Sequence, residues 1–448
     1  MKTTSLRIKR TTSPQPENPF VYRKTILPNG LRVVTERISH VRSSSVGVWV
    51  DVGSRDEDPS INGITHFIEH MVFKGTKKRS SREISRSIES VGGYMNAFTS
   101  KEHTCFYARV RDEHTRLALD VLSDLTLNAV FPEKELEKEK GVVIEELRNA
   151  EDDPDDIIHD YFEKSLYGSH SMGFPVIGTE NNLRSFRRDD LLAYGKKHYR
   201  PEHMVVAAAG NIEHDELVEL AGSLFPSTSR KAGEIKRRKP KGKAGQVIRL
   251  EKPIQQAHIC MGTVAFSIRS KYRYPMMVLN TLLGDGMSSR LFQNIRERYG
   301  FAYSVYSFVS LQSDIGSFGV YVGTDRTHVE ASMELVVKEL DGLKKKPVSA
   351  AELRRTKEQL KGSIMLSLEN IPSRMMRLGS SELYFGEQNP LDSIIRNIEA
   401  VESDDIQALA ADLFKAEDFS RIVFLPSVRP QAGESGIALA AMNRERSS

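Results

Sequence analysis

The chain has 448 residues, which exceeds the size of one ordinary domain and predicts two to four domains. Hydrophobic residues make up 39% of the chain and charged residues 28%, which is typical of a globular protein and excludes a disordered, collagen-like or coiled-coil chain. The net charge is only +4, from 64 basic and 60 acidic side chains, so no nucleic acid partner is expected.

The first 19 residues are basic and rich in Ser and Thr, with no acid before Glu17. We interpret them as a disordered tail, with a mitochondrial presequence as the alternative. No apolar run approaches the ~18 residues that span a bilayer, so no membrane association is expected. Cys105 and Cys260 form no CxxC pair, which favours two free thiols in a reducing compartment over a disulfide. The expected location is the cytoplasm, with the mitochondrial matrix as the alternative.

Residues 20–225 contain patterns of both strand and helix. Two short strands around the turn Pro28-Asn29-Gly30 are predicted between Tyr22 and Arg37. Alternating valines from 46 to 52 indicate another strand. Further strands are predicted at 94–111 and 204–209, and helices at 64–73, 81–90, 113–129, 133–150 and 214–224.

Residues 226–246 are rich in Lys, Arg, Gly and Pro, which predicts a linker that is a solvated tether rather than a polyanion site. After the linker the order of elements recurs, with strands predicted at 247–251, 256–265, 302–310 and 316–322 and helices at 271–284, 288–299, 328–344 and 349–369. We therefore expect an α+β fold of two homologous domains, 20–225 and 247–428, followed by a flexible tail at 429–448. Each domain is predicted to be a mostly antiparallel sheet flanked by helices, in a ferredoxin-like or metalloprotease-like duplication.

The helix at 64–73 carries the motif His66-Phe67-Ile68-Glu69-His70. His66, Glu69 and His70 are spaced to share one face, where two imidazoles one turn apart can bind a tetrahedral metal such as zinc. Zinc lowers the pKa of a bound water to about 7, and a neighbouring carboxylate can take its proton. The competing interpretation is a helix with two surface histidines and a glutamate. The other face of the helix is predicted to be an apolar stripe made of Ile64, Phe67, Ile68, Met71 and Val72.

A third metal ligand is expected from the helix at 133–150. Glu139 and Glu146 lie two turns apart on one face, and Val142, Val143 and Leu147 are predicted to hold the helix against the core. A run of Glu and Lys is also typical of a solvated helix face. Spacing alone therefore leaves five candidates, which are Glu135, Glu137, Glu139, Glu145 and Glu146.

Three stretches of the chain, GITHFIEHMVFKGT, GGYMNAFTSKEHTCFYA and EKEKGVVIEELRNAEDDP, resemble the pitrilysin/insulinase family of zinc metallopeptidases, the inverzincins. The resemblance is closest to mitochondrial processing peptidase β subunits and single-chain bacterial processing peptidases. It continues through FPVIGTENNL, HYRPEHMVVAAAGNI and RERYGFAYSVYS, and so covers about residues 20–428. The resemblance implies one zinc ion per chain, held by His66, His70 and Glu146. It also implies that Glu69 is the general base and that Glu139 supports the site.

The same resemblance implies which residues bind substrate. Asn96, Ala97 and Phe98 match an edge strand beside the zinc, to which an extended substrate adds as another strand; the alternative is an ordinary buried strand. Arg296 and Tyr303 match an Arg and a Tyr of the second domain that bind substrate or stabilise the tetrahedral oxyanion. The alternative for this pair is a helix-end Arg and a core Tyr.

The second half contains no HxxEH motif, and Ser363 falls near the position equivalent to Glu146, so this half is expected to be non-catalytic. The resemblance implies an endopeptidase that cleaves unfolded or presequence-like peptides in a closed chamber. A homodimer, or a heterodimer with an inactive homologue, would complete that chamber. The alternative is an inactive processing-peptidase partner or core subunit, and the full set of His66, Glu69, His70 and Glu146 favours the enzyme.

Overall fold

The fold is built on two β-sheets, seen in a computed structural model that describes residues 20–226, 233, 235–242 and 245–427. The tails predicted at 1–19 and 429–448 lie outside the described residues. Helices flank both sheets, and most neighbouring strands are antiparallel. The predicted α+β class is therefore confirmed.

The first sheet has six strands and the second has five. Those of the first are β1 (Phe20–Ile26), β2 (Arg32–Ile38), β3 (Ser43–Val50), β4 (Tyr94–Thr99), β5 (Thr104–Arg111) and β6 (Met204–Gly210). Those of the second are β7 (Val247–Lys252), β8 (Ala257–Ala265), β9 (Ala302–Leu311), β10 (Gly316–Thr324) and β11 (Ser420–Pro426). The spatial orders are β1-β2-β6-β3-β5-β4 and β7-β11-β8-β10-β9.

The helices follow the same division. The first half contains α1 (Ile64–Met71), α2 (Ser81–Glu89), α3 (Thr115–Asn128), α4 (Glu133–Asp152), α5 (Pro154–Tyr167), α6 (Glu180–Ser185), α7 (Arg188–His198) and α8 (His214–Leu224). The second contains α9 (Arg273–Gly284), a π-helical segment Phe292–Arg298, α10 (Val329–Lys345), α11 (Ala350–Ser367), α12 (Ile371–Phe385), α13 (Leu391–Glu399) and α14 (Ser403–Leu413). No helix in the described part of the chain has the length and apolar character needed to cross a membrane.

The two sheets share one topology. If β1 is set aside, the strands β2-β6-β3-β5-β4 of the first sheet correspond in order to β7-β11-β8-β10-β9 of the second. The one parallel pair recurs at the same place, between β2 and β6 in the first sheet and between β7 and β11 in the second. The recurring order of elements read from the sequence is thus a structural duplication.

Each sheet is covered on one face by a helix from the other half of the chain. Helix α12 packs on the first sheet, where Met375 and Leu378 are buried beside Trp49. Helix α5 packs on the second sheet, where Phe162 and Leu166 are buried. The halves therefore share their cores, and the boundaries proposed at 225 and 247 stay a prediction.

The region 94–111, predicted as one strand, is a hairpin of β4 and β5 joined by residues 100–103. The turn Ser100-Lys101-Glu102-His103 contains no Gly or Pro, so it carries no strong turn signal. The segment predicted as an ordinary helix at 288–299 is π-helical from Phe292 to Arg298. No element was predicted between 150 and 204 or after 369, where the structure has six helices and β11.

The predicted linker is not a solvated tether over its described residues. The Arg237 guanidinium donates to Asp56 Oδ1 and Oδ2, at 2.9 Å each, and to the Glu102 carbonyl at 2.7 Å. Ile235 packs against the core of the first half. This part of the segment is therefore docked on the protein, because Arg237 binds acidic partners that the local sequence does not contain.

Replacement of a buried leucine on α5 tests the packing of this helix on the sheet of the other half. Leu166 is fully buried, so Leu166→Ala is expected to lower the free energy of unfolding by about 2–5 kcal/mol. Leu366→Ala is the matched control: Leu366 is 67% exposed, and its loss is expected to cost less than about 0.5 kcal/mol. Urea unfolding of the variants measures both values, and equal costs would contradict the shared core.

Candidate metal site

Helix α1 begins at a glycine that no other residue could replace without strain. Gly63 has φ +98°, and a Cβ at this position would lie 2.6 Å from the Ile177 carbonyl oxygen. The Glu57 carboxylate caps the helix, because it accepts hydrogen bonds of 2.8 Å from the backbone N–H groups of Gly63 and Thr65. Burial raises the pKa of Glu57 to about 7, and these hydrogen bonds oppose that rise.

The buried face of α1 is the predicted apolar stripe. All of its members are at most 1% exposed, and they are Ile64, Phe67, Ile68, Met71 and Val72. His66, Glu69 and His70 are only partly buried, on the other side of the helix. Core packing therefore fixes the direction in which the three polar side chains point.

Helix α4 faces α1 with two of its five candidate glutamates. Glu139 is buried and Glu146 is about half exposed. The side chains that bury the helix are Leu136, Val143, Ile144 and Leu147. The prediction that Val142 helps to hold the helix is wrong, since Val142 is 52% exposed and lies one residue outside the buried stripe.

The remaining three candidates are engaged away from the motif. Glu135, Glu137 and Glu145 form ion pairs with Lys138, Lys140 and Arg148 respectively, each three residues further along the helix. These pairs lie on the exposed side of α4. The tertiary structure thus separates carboxylates that the sequence spacing could not separate.

His66, His70 and Glu146 come together as a group whose ligand atoms all lie within 4.8 Å of one another. Glu146 Oε1 is 3.7 Å from His66 Nε2, and its Oε2 is 3.3 Å from His70 Nε2. Ligands of a tetrahedral zinc ion, bound at about 2.0–2.1 Å, lie about 3.3 Å from one another. Two imidazole nitrogens and a carboxylate at these separations fit a catalytic zinc site, which keeps its fourth position open.

Glu139 orients His70 from behind. Its Oε1 lies 3.0 Å from His70 Nδ1, so the imidazole can donate there and present Nε2 to a metal. Lys74 contacts the other oxygen of Glu139, at 2.7 Å. Lys74 was not among the predicted site residues. It lies in the 3-10 turn Val72–Lys74 that follows α1, and its spacing of four residues from His70 was a usable signal.

Glu69 is held by a residue of the neighbouring strand. Thr99 Oγ1, at the end of β4, donates a hydrogen bond of 2.6 Å to Glu69 Oε2. Nothing in the sequence connected these two residues, which are 30 positions apart. Burial raises the pKa of Glu69, and the Thr99 hydrogen bond only partly opposes that rise. A carboxylate with a raised pKa is a better proton acceptor at neutral pH.

The pKa values of the two histidines are shifted in opposite directions. Burial, together with the neighbouring charge of His70, lowers the pKa of His66 to about 4. Burial also acts to lower the pKa of His70, but its hydrogen bonds to Glu139 and Glu146 outweigh this effect and raise it to about 9. His66 is therefore ready to bind a metal at neutral pH, whereas metal binding has to displace a proton from His70.

Strand β4, which contains Asn96, Ala97 and Phe98, is at the edge of the first sheet and pairs only with β5 among the described strands. The Ala97 N–H donates to the Asn96 side-chain oxygen at 2.8 Å. No residue of β4 is fully buried, so the alternative of an ordinary buried strand is wrong. An edge strand offers its free backbone groups to an added strand.

Arg296 and Tyr303 lie in the second half of the chain. Arg296 is exposed on the π-helical segment and stacks over Phe292, with 4.9 Å from the guanidinium carbon to the ring centroid. Tyr303 is the second residue of β9 and is 62% exposed, so the alternative of a core tyrosine is wrong. Among the described contacts, neither residue touches His66, His70 or Glu146.

The second half has no metal-binding counterpart of this site in the described residues. Glu146 lies 13 residues after the first residue of α4, and Ser363 lies 13 residues after the first residue of α11, the corresponding helix. Ser363 is exposed and is not a zinc ligand type. The duplication has thus kept the helix without its chemistry.

Comparison with known proteins agrees with this division. Residues 32–180 match the family model described as Insulinase (Peptidase family M16), and residues 185–360 match that described as Peptidase M16 inactive domain. An uncharacterized zinc protease of Bacillus subtilis is 45% identical over 399 residues, which cover 89% of this chain and 97% of that protein. One of Streptomyces coelicolor is 42% identical over 398 residues, which cover 87% of each.

Solved structures share the fold. A protease from Helicobacter pylori superposes with a TM-score of 0.85 at 22% identity, covering 91% of this chain and 100% of that chain. A peptidase M16 inactive domain from Pseudomonas fluorescens superposes with a TM-score of 0.84 at 18% identity, covering 91% and 98%. At these identities the likeness establishes the two-sheet architecture alone.

A pair of neighbouring glutamates on α4 allows a matched test of metal binding. Glu146→Gln is expected to weaken zinc affinity more than about 100-fold, because losing a direct ligand costs more than losing a residue that only orients one. Glu145→Gln should leave the affinity unchanged, since Glu145 pairs with Arg148 on the exposed side. Competition with a chromogenic chelator measures both, and equal affinities would contradict the assignment of Glu146.

Proposed function

The chain belongs to the M16, or pitrilysin/insulinase, family of zinc metallopeptidases, and from this we propose that it is an active zinc-dependent endopeptidase with one zinc ion per chain. The observation that carries the proposal is the convergence of His66, His70 and Glu146 next to a partly buried carboxylate, Glu69. A metal site with three protein ligands and an adjacent acid is the arrangement that metal-assisted hydrolysis needs.

The residues divide the work of hydrolysis among them. His66, His70 and Glu146 hold the zinc ion, which when bound polarises the scissile carbonyl and lowers the pKa of the attacking water. Thr99 occupies one oxygen of Glu69, which leaves the other to take the proton from that water and pass it to the leaving amine. Glu139 and Lys74 keep His70 in the orientation that exposes Nε2.

The substrate we propose is an unfolded or presequence-like peptide bound in extended form along β4. The open edge of β4, at Asn96, Ala97 and Phe98, supports this mode because a peptide can add there as a further strand. A folded protein cannot offer such a strand without local unfolding. If a second chain covers this face, it encloses a chamber that favours unfolded peptides over folded proteins.

We further propose that two chains assemble. Arg296 and Tyr303 are exposed, and no described contact joins them to the metal-binding residues of their own chain, which supports a role on substrate bound by another copy. A homodimer places two complete sites in one chamber. A heterodimer with an inactive homologue would supply only one.

The competing function is that of an inactive partner or core subunit. The match of residues 185–360 to an inactive domain favours it for the second half, which has no described metal-binding group. The first half retains every residue that the chemistry requires. We also propose action in a reducing compartment, the cytoplasm or alternatively the mitochondrial matrix, because Cys105 and Cys260 are both buried and unpaired.

The general base is tested by Glu69→Gln, which keeps the size of the side chain but cannot accept a proton. We expect the variant to retain zinc and to lose about 10²–10⁴-fold in kcat. Mass spectrometry of a digested peptide library measures the loss and also defines the cleavage preference. Glu145→Gln serves as the control, and a wild-type protein that binds zinc but cleaves nothing would favour the inactive-partner alternative.

Mixing two inactive variants tests the dimer. If Tyr303 acts across the subunit interface, Glu69→Gln and Tyr303→Ala chains combine to form one intact site in each mixed dimer. Random reassociation should then restore about a quarter of the wild-type activity. Sedimentation velocity checks that the particles contain two chains, and a mixture no more active than its components would contradict assembly of a shared site.

A further inference from the structure

Two corresponding turns of the duplicated fold touch each other near the candidate site. Residues 100–103 join β4 to β5 in the first half, and residues 312–315 join β9 to β10 in the second. These hairpins occupy the same place in their respective sheets. The contact between them therefore connects the β4–β5 hairpin, which contains the edge strand β4, to the second half of the chain.

Glu102 is the centre of this contact. Its side chain is 1% exposed, and its carboxylate accepts hydrogen bonds from Ser313 Oγ at 2.6 Å and from the Ser313 N–H at 2.9 Å. Arg55 Nη1 donates to the same carboxylate at 2.5 Å. A buried carboxylate with three donors, one of them charged, is strongly held because its desolvation is offset only in this geometry.

Arg55 links the same two turns from the other side. Its guanidinium is as buried as Glu102 and also donates to Asp314 Oδ2 in the second turn, at 2.7 Å. The Arg55 backbone N–H bonds to the Lys101 carbonyl at 2.8 Å. Gly53 makes this approach possible, because a Cβ there would lie 2.3 Å from the Ser100 carbonyl oxygen.

The turn that Glu102 anchors lies next to the residues proposed to act on substrate. It follows directly after Thr99, which holds Glu69. Among the described strands β4 pairs with β5 alone, and it also contacts helices α1 and α2. An edge strand of six residues has few bonds of its own to set its position. The bonds that hold the turn therefore help to set the position of the C-terminal end of β4.

We propose that Glu102 is a positioning residue, whose bonds to Ser313 of the second half hold strand β4 in place for an extended substrate. This role deepens the proposed peptidase function and rests on it. The second half would then have a function within its own chain, because Ser313 and Asp314 help to hold a strand of the first half.

The test combines amide hydrogen exchange with kinetics in the full-length zinc-loaded protein. Ser313→Ala removes one donor, and we expect about tenfold faster exchange in residues 94–99 and about a tenfold loss in kcat/KM, mainly through a higher KM. Ser313→Thr keeps the hydroxyl and should restore both values. Glu102→Gln should show larger changes in the same direction, with the zinc content unchanged.

Glu36→Gln is the matched control. Glu36 is also buried, and it accepts from Arg374 of α12 at 2.9 Å, so it joins the two halves without touching the turn. This variant should leave exchange in β4 unchanged. If Glu102→Gln does not fold, the comparison of Ser313→Ala with Ser313→Thr tests the proposal.

Unchanged exchange in β4 of Ser313→Ala, or faster exchange with unchanged KM, would overturn the role of Glu102. Wild-type protein that shows no cleavage would instead overturn the proposed function, and with it the substrate role of this residue. An active wild type with unaffected variants overturns the inference alone.

Discussion

The burial of one face of α1 is the constraint on which the rest of the site depends. Phe67, Ile68 and Met71 fill the core, so the helix cannot turn about its axis and His66 and His70 must face α4. The capping of α1 by Glu57, from outside the helix, fixes where it begins. Once α1 is set, the position of α4 decides which carboxylate completes the metal-binding group.

The side chains of the candidate metal site are held by residues from three separate elements. Helix α4 brings Glu139 and Glu146 to the histidines, β4 brings Thr99 to Glu69, and the 3-10 turn after α1 carries Lys74. Each contact holds a side chain that would otherwise be free to rotate. This arrangement accounts for how a site with few metal ligands can be ordered before metal binds.

The duplicated fold makes the two halves interdependent rather than merely adjacent. Helices α5 and α12 each bury an apolar face on the sheet of the other half, and the paired turns around Glu102 and Ser313 join the hairpins. The first half contains the candidate metal-binding group, whereas in the second half Ser363 stands at the position that corresponds to Glu146. The second half thus contributes packing and the proposed positioning of β4. Neither of these functions needs a bound metal.

The sequence by itself determined the strongly patterned parts of this protein. The apolar stripe of α1, the duplicated order of strands and helices, and the identity of His66, Glu69 and His70 all followed from local spacing. Family resemblance was needed to choose Glu146, because five glutamates on one helix have equivalent local patterns. Only the tertiary structure showed Thr99 against Glu69, Glu102 against Ser313, the exchange of α5 and α12, and the exposure of Val142. These features depend on contacts between segments that are far apart in the chain. Short-range periodicity reports only local structure and does not predict such contacts.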